Sequence, residues 1–357
     1  MPSRVPDLVR RDRDPAPEAP PRSRARRAAA VVGRVVVPVV LAFLVLLPDL
    51  VGLDRHLPFT VFAAVRPALT VAAGTVVVLL VLRRLVRRLL GRRPGTAAGA
   101  VGLAAVAVVV AVAAAIVVPR AVPAAAPPAG GTPLTVLSFN AFEGKADAAV
   151  LAGVVRRERP DLVILPEAGE RFRGRMAALL PEYRSWTNVP PRTADVRGIT
   201  VLAAPRAGDV TARTISDAPG TPTDTRYPWA EVTGGILGPV RLGAVHVVSI
   251  MPGWVAYWPG ELALLQRWCA GGPALVVGDF NATPDHSAFR AGAQGCTDAA
   301  TERGESLTGT WYAGVPRSVG AQIDHVLTRG GPQARDVAVI DIPGSDHRAL
   351  LARLTLP

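Results

Sequence analysis

Residues 97–118 (AAGAVGLAAVAVVVAVAAAIVV) run for 22 positions without a charged side chain. As a helix rising about 1.5 Å per residue, the stretch is about 33 Å long, enough to cross the hydrocarbon core of a bilayer. A packed soluble core rarely tolerates a segment that is apolar on every face. Residues 28–48 form a second candidate span, with Arg34 close enough to one end to snorkel. Residues 65–82 form a third, edged by Arg66 on one side and by Arg83 and Arg84 on the other. An arginine at a membrane centre is costly, which puts Arg66 at the interface as an anchor. None of the three spans contains an acidic residue, so they offer little basis for a transport pathway.

A net charge of +12 would suggest a nucleic-acid binder if it were spread along the chain. It is not spread: residues 1–131 hold 18 basic and 6 acidic residues, whereas 132–357 hold 22 of each. Lys145 is the only lysine, a bias that reflects a GC-rich coding genome more than any chemistry. Residues 1–34 carry nine arginines and the loop 83–93 carries six. The loop 49–56 has Arg55 beside Asp49 and Asp54, and the segment after the last span has Arg120. The positive-inside rule then predicts a multi-pass protein of the cell membrane. Its basic arm (1–27) is cytoplasmic, three helices cross within 28–118, and everything beyond is extracytoplasmic. Anionic lipid accounts for the arginines without a nucleic-acid partner. A cleavable signal peptide fits poorly, because a long polar arm precedes the first apolar run and two further spans follow.

Residues 119–133 (PRAVPAAAPPAGGTP) read as a semi-extended linker poorly suited to a core. From residue 134 short β-type runs alternate with helical patterns, and all six tryptophans fall in this part. The patterning predicts strands at 134–139, 161–165, 199–203, 240–248, 274–278, 323–328 and 336–340. Helices are predicted at 147–159, 169–180 and 261–269. That is one α/β domain over 134–357. Its two cysteines, Cys269 and Cys296, exclude a disulfide framework and a cysteine-based zinc site. They are either separate buried thiols or one disulfide, and an oxidising location favours the disulfide.

Chemistry-bearing residues gather where these strands end. Asn140 follows LTVLSF, Glu167 follows DLVILP, and His246 lies in VRLGAVHVVS. Asp279 and Asn281 stand in GDFN, Asp324 and His325 in QIDHV, and Asp346 and His347 in GSDHR. Singly, each has an ordinary explanation as a turn cap or a core histidine. Together they lie where an α/β fold assembles its site. Oxygen donors such as Glu167 and Asp346, with Asn140 nearby, suit a hard cation, Mg²⁺ or alternatively Mn²⁺. Imidazoles such as His246 and His347 can donate to phosphoryl oxygens, and Asp279 can orient or deprotonate an attacking water. Asp324 is the natural partner to fix the tautomer of His347.

In order, Asn140–Gly144 (N-x-x-x-G), PDLVILPE, His246, GDFN, IDH and SDH resemble the endonuclease/exonuclease/phosphatase superfamily, the deoxyribonuclease I-like fold. The resemblance covers essentially all of 134–357 and points to a membrane-anchored bacterial member. It implies a four-layer α/β sandwich, two central mixed sheets flanked by helices, behind the transmembrane helical region. It also implies Mg²⁺-dependent cleavage of phosphate esters. By that resemblance Asn140, Glu167 and Asp346 belong to the metal site, and His246 and Asn281 contact the phosphate. Asp279 handles water, Asp324 pairs with His347, and the role of base is shared between His347 and Asp279.

The sequence also departs from that pattern. Phe142 stands where many nucleases of the superfamily carry an acid, and further phosphate contacts have only Arg226 or Tyr227 in TRYPW as weak matches. The balanced charge of 132–357 disfavours a nuclease, since duplex binding draws on Lys and Arg. The run 251–260 (MPGWVAYWPG) either packs as a rim or forms an aromatic lip toward a pocket or the bilayer. His286 and His325 read as non-catalytic, His286 at the start of a surface helix. The expected function is hydrolysis of a phosphate ester, a diester ahead of a monoester, with a lipid or another cell-surface compound as substrate. The alternatives are an extracytoplasmic nuclease and, in another class, a non-catalytic membrane-tethered binding protein.

Overall fold

The computed structural model describes residues 24–127, 130–215 and 227–357. One sheet is built from β1 (Thr132–Ser138), β2 (Leu162–Pro166), β3 (Arg184–Thr187), β4 (Ile199–Ala203), β11 (Gln333–Ile340) and β12 (Ala349–Leu356). Its strand order is β11–β12–β1–β2–β4–β3. The other contains β5 (Val210–Ile215), β6 (Trp229–Gly234), β7 (Arg241–His246), β8 (Ala274–Asp279), β9 (Thr297–Asp298) and β10 (Asp324–Arg329). It is ordered β5–β6–β7–β8–β10–β9. The pairs β1/β2 and β7/β8 are parallel and their neighbours antiparallel, so both sheets are mixed.

Alternation along each strand separates two apolar layers. Val136 and Ile164 face the other sheet, where Val232, Ala244 and Val277 lie in the same core. Leu137, Val163 and Leu165, one residue out of phase, pack on Leu151, Val155, Phe172 and Met176. Those four come from the helices Ala148–Glu158 and Glu170–Leu179, which cover the first sheet. Asp147 caps the former by accepting from Ala149 N and Val150 N. On the far side Trp268 lies flat on the second sheet, and a Cβ at Gly243 would come within 2.6 Å of its ring. The result is the predicted four-layer sandwich.

The single helix expected over 261–269 is instead two short ones, Trp258–Ala263 and Gln266–Cys269. Between them the hydrogen bonds tighten to i→i+3, as in Leu265 N to Leu262 O and Trp268 N to Leu265 O. This three-residue period lines up Leu262, Leu265 and Trp268 as one fully buried row. Cys269 and Cys296 form a disulfide that ties the second of these helices to the segment before β9.

Three helices, Ala28–Leu46, Arg66–Leu89 and Ala97–Ala121, are long and apolar enough to cross a membrane. The second runs seven residues past the expected 82 and carries Arg83, Arg84, Arg87 and Arg88 on its last two turns. Arg66 stands at the end of its helix, as expected, but its side chain does not reach outward. It is fully buried, paired with Asp49 and with Asp285 Oδ1 at 2.8 Å. Arg120 Nη2 takes the other Asp285 oxygen at 2.8 Å, and Arg290 Nη2 reaches Asp49 at 2.7 Å. His286 starts the helix Ser287–Gly292, yet it too is buried rather than on the surface. Its Nδ1 accepts from Thr283 N and its Nε2 donates to Thr60 O, each at 2.9 Å. The predicted linker is also pinned: Ala124 N donates to Glu302 O at 2.9 Å, and Thr132 and Pro133 already belong to β1.

Removing one member of a buried ion pair leaves its partner desolvated and unpaired, at a cost of about 3–5 kcal/mol. Asp285→Ala is therefore expected to loosen the helical region from the sandwich, read as faster proteolytic cleavage within 119–131. An unchanged cleavage rate would mean that the cluster does not hold the two parts together.

Candidate active site

The topology brings the chemistry-bearing residues to one edge. β1 and β2 are parallel, so Asn140 and Glu167 leave them at the same end, where Asp346 and His347 precede β12. In the second sheet His246 is in register with Asp279, and Asp279 with Asp324, across three adjacent strands. Asn140, Glu167, His246, Asp279, Asn281, Asp324, Asp346 and His347 all lie on this edge.

Asn140 links the two sheets. Its Nδ2 donates to Glu167 Oε1 at 3.0 Å and to Asp279 Oδ2 at 2.9 Å, and its Oδ1 accepts from Phe142 N at 2.8 Å. One lone pair remains on that oxygen. Glu167 Oε2 accepts from Glu143 N at 2.7 Å. Glu167 and Asn281 sit at φ +57° and +46°. Such left-handed backbone is uncommon for a glutamate and is held by its surroundings. Asn281 steadies Asp279: its backbone N donates to Oδ1 at 2.8 Å, while its Nδ2 donates to Val247 O at 2.8 Å. His347 Nδ1 meets Asp324 Oδ2 at 2.9 Å, and its Nε2 lies 3.7 Å from Asp279 Oδ2. His246 Nε2 lies 3.7 Å from Glu167 and 3.8 Å from Asp279.

Burial dominates the electrostatics. It pushes Asp279 up to about 7, with Asp324 adding to the rise and His347 opposing it. It raises Glu167, against the hydrogen bonds from Asn140 and Glu143. His246 is held down at about 3 by burial and by His347, so its ring is neutral. For His347 burial pulls down, but Asp324 and Asp279 outweigh it and hold the imidazole at about 10.

Carboxylate oxygens and one imidazole nitrogen from Asp279, Asp324 and His347 lie within 4.8 Å of one another, a spacing a cation could use. His347 Nδ1 is already bonded to Asp324, however, so this trio is better suited to holding a proton than a metal. On the other side of the site Asp346 presents a buried Oδ1 without a hydrogen-bond partner. Asp346 is close enough to Glu167 for its charge to help raise the Glu167 pKa. An unpartnered carboxylate oxygen near a second carboxylate fits a hard divalent cation, and the all-oxygen donor set agrees.

The sequence offers Tyr227 only as a weak match and gives no sign of the other contacts around the site. Tyr227 stacks flat on His246, with ring centroids 4.3 Å apart, and Trp254 stacks on Tyr227 at 6.2 Å. Arg226, the other weak match, lies outside the described residues. Trp311 Nε1 donates to Asp346 Oδ2 at 3.0 Å from a loop with no local motif. Ser345 Oγ donates to Asn140 O at 2.8 Å and accepts from His347 N, joining the last motif to the first. The run 251–260 is mostly rim: Trp258 is buried with its Nε1 on Asn281 O, while Met251 is exposed. Phe142 joins no carboxylate cluster, and Lys145 Nζ rests 4.4 Å from its ring centre.

His325 supports the loop behind Asp279 and Asn281. Its ring nitrogens face Asp298 Oδ1 at 3.4 Å and Ala282 O at 2.9 Å, the pattern of an imidazolium donating twice. Burial lowers its pKa, but Asp298 outweighs that and raises it above 6.5. Asp298 is held below its usual 3.8: burial opposes this, and His325 is the chief cause. The histidine's contribution to stability is thus full below 6.5 and is lost as pH rises through its elevated value. The aspartate's contribution is full above 3.8 and is lost as pH falls. The pair's own contribution to the thermal midpoint is therefore full between about pH 4 and 6.5 and declines above that window. His325→Gln should flatten the decline just above it; an identical profile in the variant would remove the imidazolium from the account.

Residues 137–347 match the endonuclease/exonuclease/phosphatase family. No curated protein sequence matches the chain. Among solved structures, an endonuclease/exonuclease/phosphatase from Beutenbergia cavernae is 19% identical, covering 63% of this chain and 72% of its own (TM-score 0.48). Truncated Caenorhabditis elegans TDP2 is 17% identical over 62% of this chain and 97% of its own (TM-score 0.49). A mannosyl-6-phosphatase from Bacteroides thetaiotaomicron is 17% identical over 62% of this chain and 100% of its own (TM-score 0.46). With its matched segment running from the end of β1 to His347, the chain belongs to the endonuclease/exonuclease/phosphatase family.

Proposed function

We propose that the protein is a membrane-anchored, metal-dependent phosphoesterase whose catalytic domain lies outside the cell membrane, acting on diesters ahead of monoesters. The observation that carries this reading is the joined network Glu167–Asn140–Asp279 with His347–Asp324 beside it. Asp279 orients a water and takes its proton at Oδ2, an atom that burial makes basic enough for the task near neutral pH. His347, protonated and held by Asp324, donates from Nε2 to a nonbridging oxygen as charge builds there. His246 stays neutral and is fixed in plane by Tyr227, and Asn281 keeps Asp279 from turning. Glu167 and Asp346, with Asn140 beside them, would hold Mg²⁺ or Mn²⁺. When bound, the ion neutralises charge on the phosphoryl oxygens. A diester brings one negative charge to a site already lined by Glu167, Asp279 and Asp346, where a monoester brings two.

Three apolar helices support the anchoring. The segregated arginines and the disulfide, which persists in oxidising compartments, support the outward orientation. The balanced charge of 132–357 keeps a nuclease in second place.

The full chain in detergent should hydrolyse bis-p-nitrophenyl phosphate with Mg²⁺ or Mn²⁺, and chelation should stop it. Asp279→Asn and His347→Ala are each expected to lower kcat by about 10²–10⁴-fold. Wild type and variants equally inert with both metals would defeat the phosphoesterase reading. Faster turnover of single- or double-stranded DNA than of the small diester would promote the nuclease.

A further inference from the structure

The site and the ends of the apolar helices are joined by a short lateral row of residues. Ala64, two positions before the helix that begins at Arg66, shares a buried apolar cluster with Ala321 and Ile323. Ala321 is bridged to Trp311, and Trp311 is bridged on its other side to His347. Bridged neighbours stand about 5 Å apart, which leaves His347 about 10 Å from Ala321. Ile323 is directly followed by Asp324, the partner of His347. The catalytic edge of the sandwich is thus its side nearest the outer helix ends.

Exposed apolar side chains follow the same margin. Among the described residues beyond 131, the exposed large hydrophobics are Val150, Met251, Trp311, Tyr312 and Val319. All but Val150 stand on the two loops that border the site. Trp311 and Tyr312 remain 39% and 48% exposed although Trp311 also bonds Asp346. The segment joining the first two apolar helices continues the feature with Leu50, Val51, Leu57 and Val61, also exposed. A water-facing loop gains nothing from such residues, whereas amphipathic aromatics and aliphatics partition well into a headgroup layer about 6 Å deep. The buried Arg66–Asp285–Arg120 pairing fixes this margin against the helices instead of letting it swing on a linker.

We propose that the 311–319 loop rests in the outer headgroup layer of the membrane the protein spans, and that the substrate is a phosphate diester carried by a lipid of that leaflet. This rests on the phosphoesterase reading. The lipid's phosphate meets Asp279 and His347 while its acyl chains stay in the bilayer, so the enzyme need not extract it.

The test reconstitutes the full chain, with Mg²⁺, in vesicles of phosphatidylcholine and phosphatidylglycerol. Release of water-soluble phosphorylated headgroup or of free headgroup alcohol is measured beside turnover of soluble bis-p-nitrophenyl phosphate. Wild type should cleave at least one vesicle lipid. Tyr312→Asp and Val319→Asp, both at exposed positions of the loop, should lower the ratio of lipid to soluble-ester turnover about tenfold each. Retained soluble-ester turnover certifies that the variants are folded. Soluble ester cleaved with both lipids untouched, or a ratio unchanged in the two variants, overturns this proposal and leaves the phosphoesterase standing. No turnover of either substrate by wild type would defeat the phosphoesterase reading itself, and this proposal with it.

Discussion

Asp285 shares its two carboxylate oxygens between Arg66 and Arg120, both buried, from two different apolar helices. Such a group could not be left half-made: buried charges are tolerated only when paired, and each removal exposes another. Arg66 in turn needs Asp49, and Asp49 needs Arg290, so the cluster closes on the helix that begins at Ser287. Asp54 extends it by accepting from Ser287 Oγ at 3.0 Å, and His286 by donating to Thr60. Asp285, His286, Ser287 and Arg290, the partners on the sandwich side, all lie within twelve residues of Asp279. What would otherwise be an independent sandwich on a flexible tether becomes one body with the helical region, joined beside its catalytic edge.

The site depends on the opposite strategy. Asp279, Glu167 and Asp346 bring acidic groups together with few cations, and burial raises the cost of charging Asp279 and Glu167. Asn140 and Asn281 hold the carboxylates with neutral donors, which fix geometry without cancelling charge. Of the two imidazoles beside Asp279, His347 is kept charged, because Asp324 sits on its far nitrogen, while His246 is kept neutral. Two histidines of the same edge are thus driven to opposite states by what faces them, and the unsatisfied negative charge is left for a cation and a phosphoryl group.

Much of this was legible because the fold places its chemistry at strand ends, and strand ends are visible as punctuation after apolar runs. LVILPE, ALVVGD and QIDH each give the strand and its terminal residue together. Strands without that contrast were missed. β12 is buried on both faces at nearly every position, so it lacks the alternation that marks a half-exposed strand. β5 and β6 lie on the side of the second sheet away from the motifs, and nothing in their sequence marks them out. Contacts between distant segments left no trace at all. The stacking of Tyr227 on His246 and the reach of Trp311 to Asp346 depend on loops whose paths only the packed sandwich determines. The pairing of Arg66 is hidden for a related reason: its span edge is plain in the sequence, but Asp285 lies 219 residues away.

Electrostatic fixing and apolar placement together change what anchoring means here. A flexible linker raises the local concentration of surface substrates without choosing among them. A joint made of buried ion pairs also sets orientation, and on the reading that the three helices cross a bilayer, orientation decides which phosphates can reach Asp279. A long duplex would need a basic track away from the membrane, and the even charge of 132–357 offers no surplus for one. A headgroup phosphate needs only a site held at its own height, with neutral donors and one imidazolium to receive it. The Pro/Ala-rich segment after the last helix, pinned by Ala124 to Glu302, is then better understood as a strap keeping that height than as a tether allowing reach.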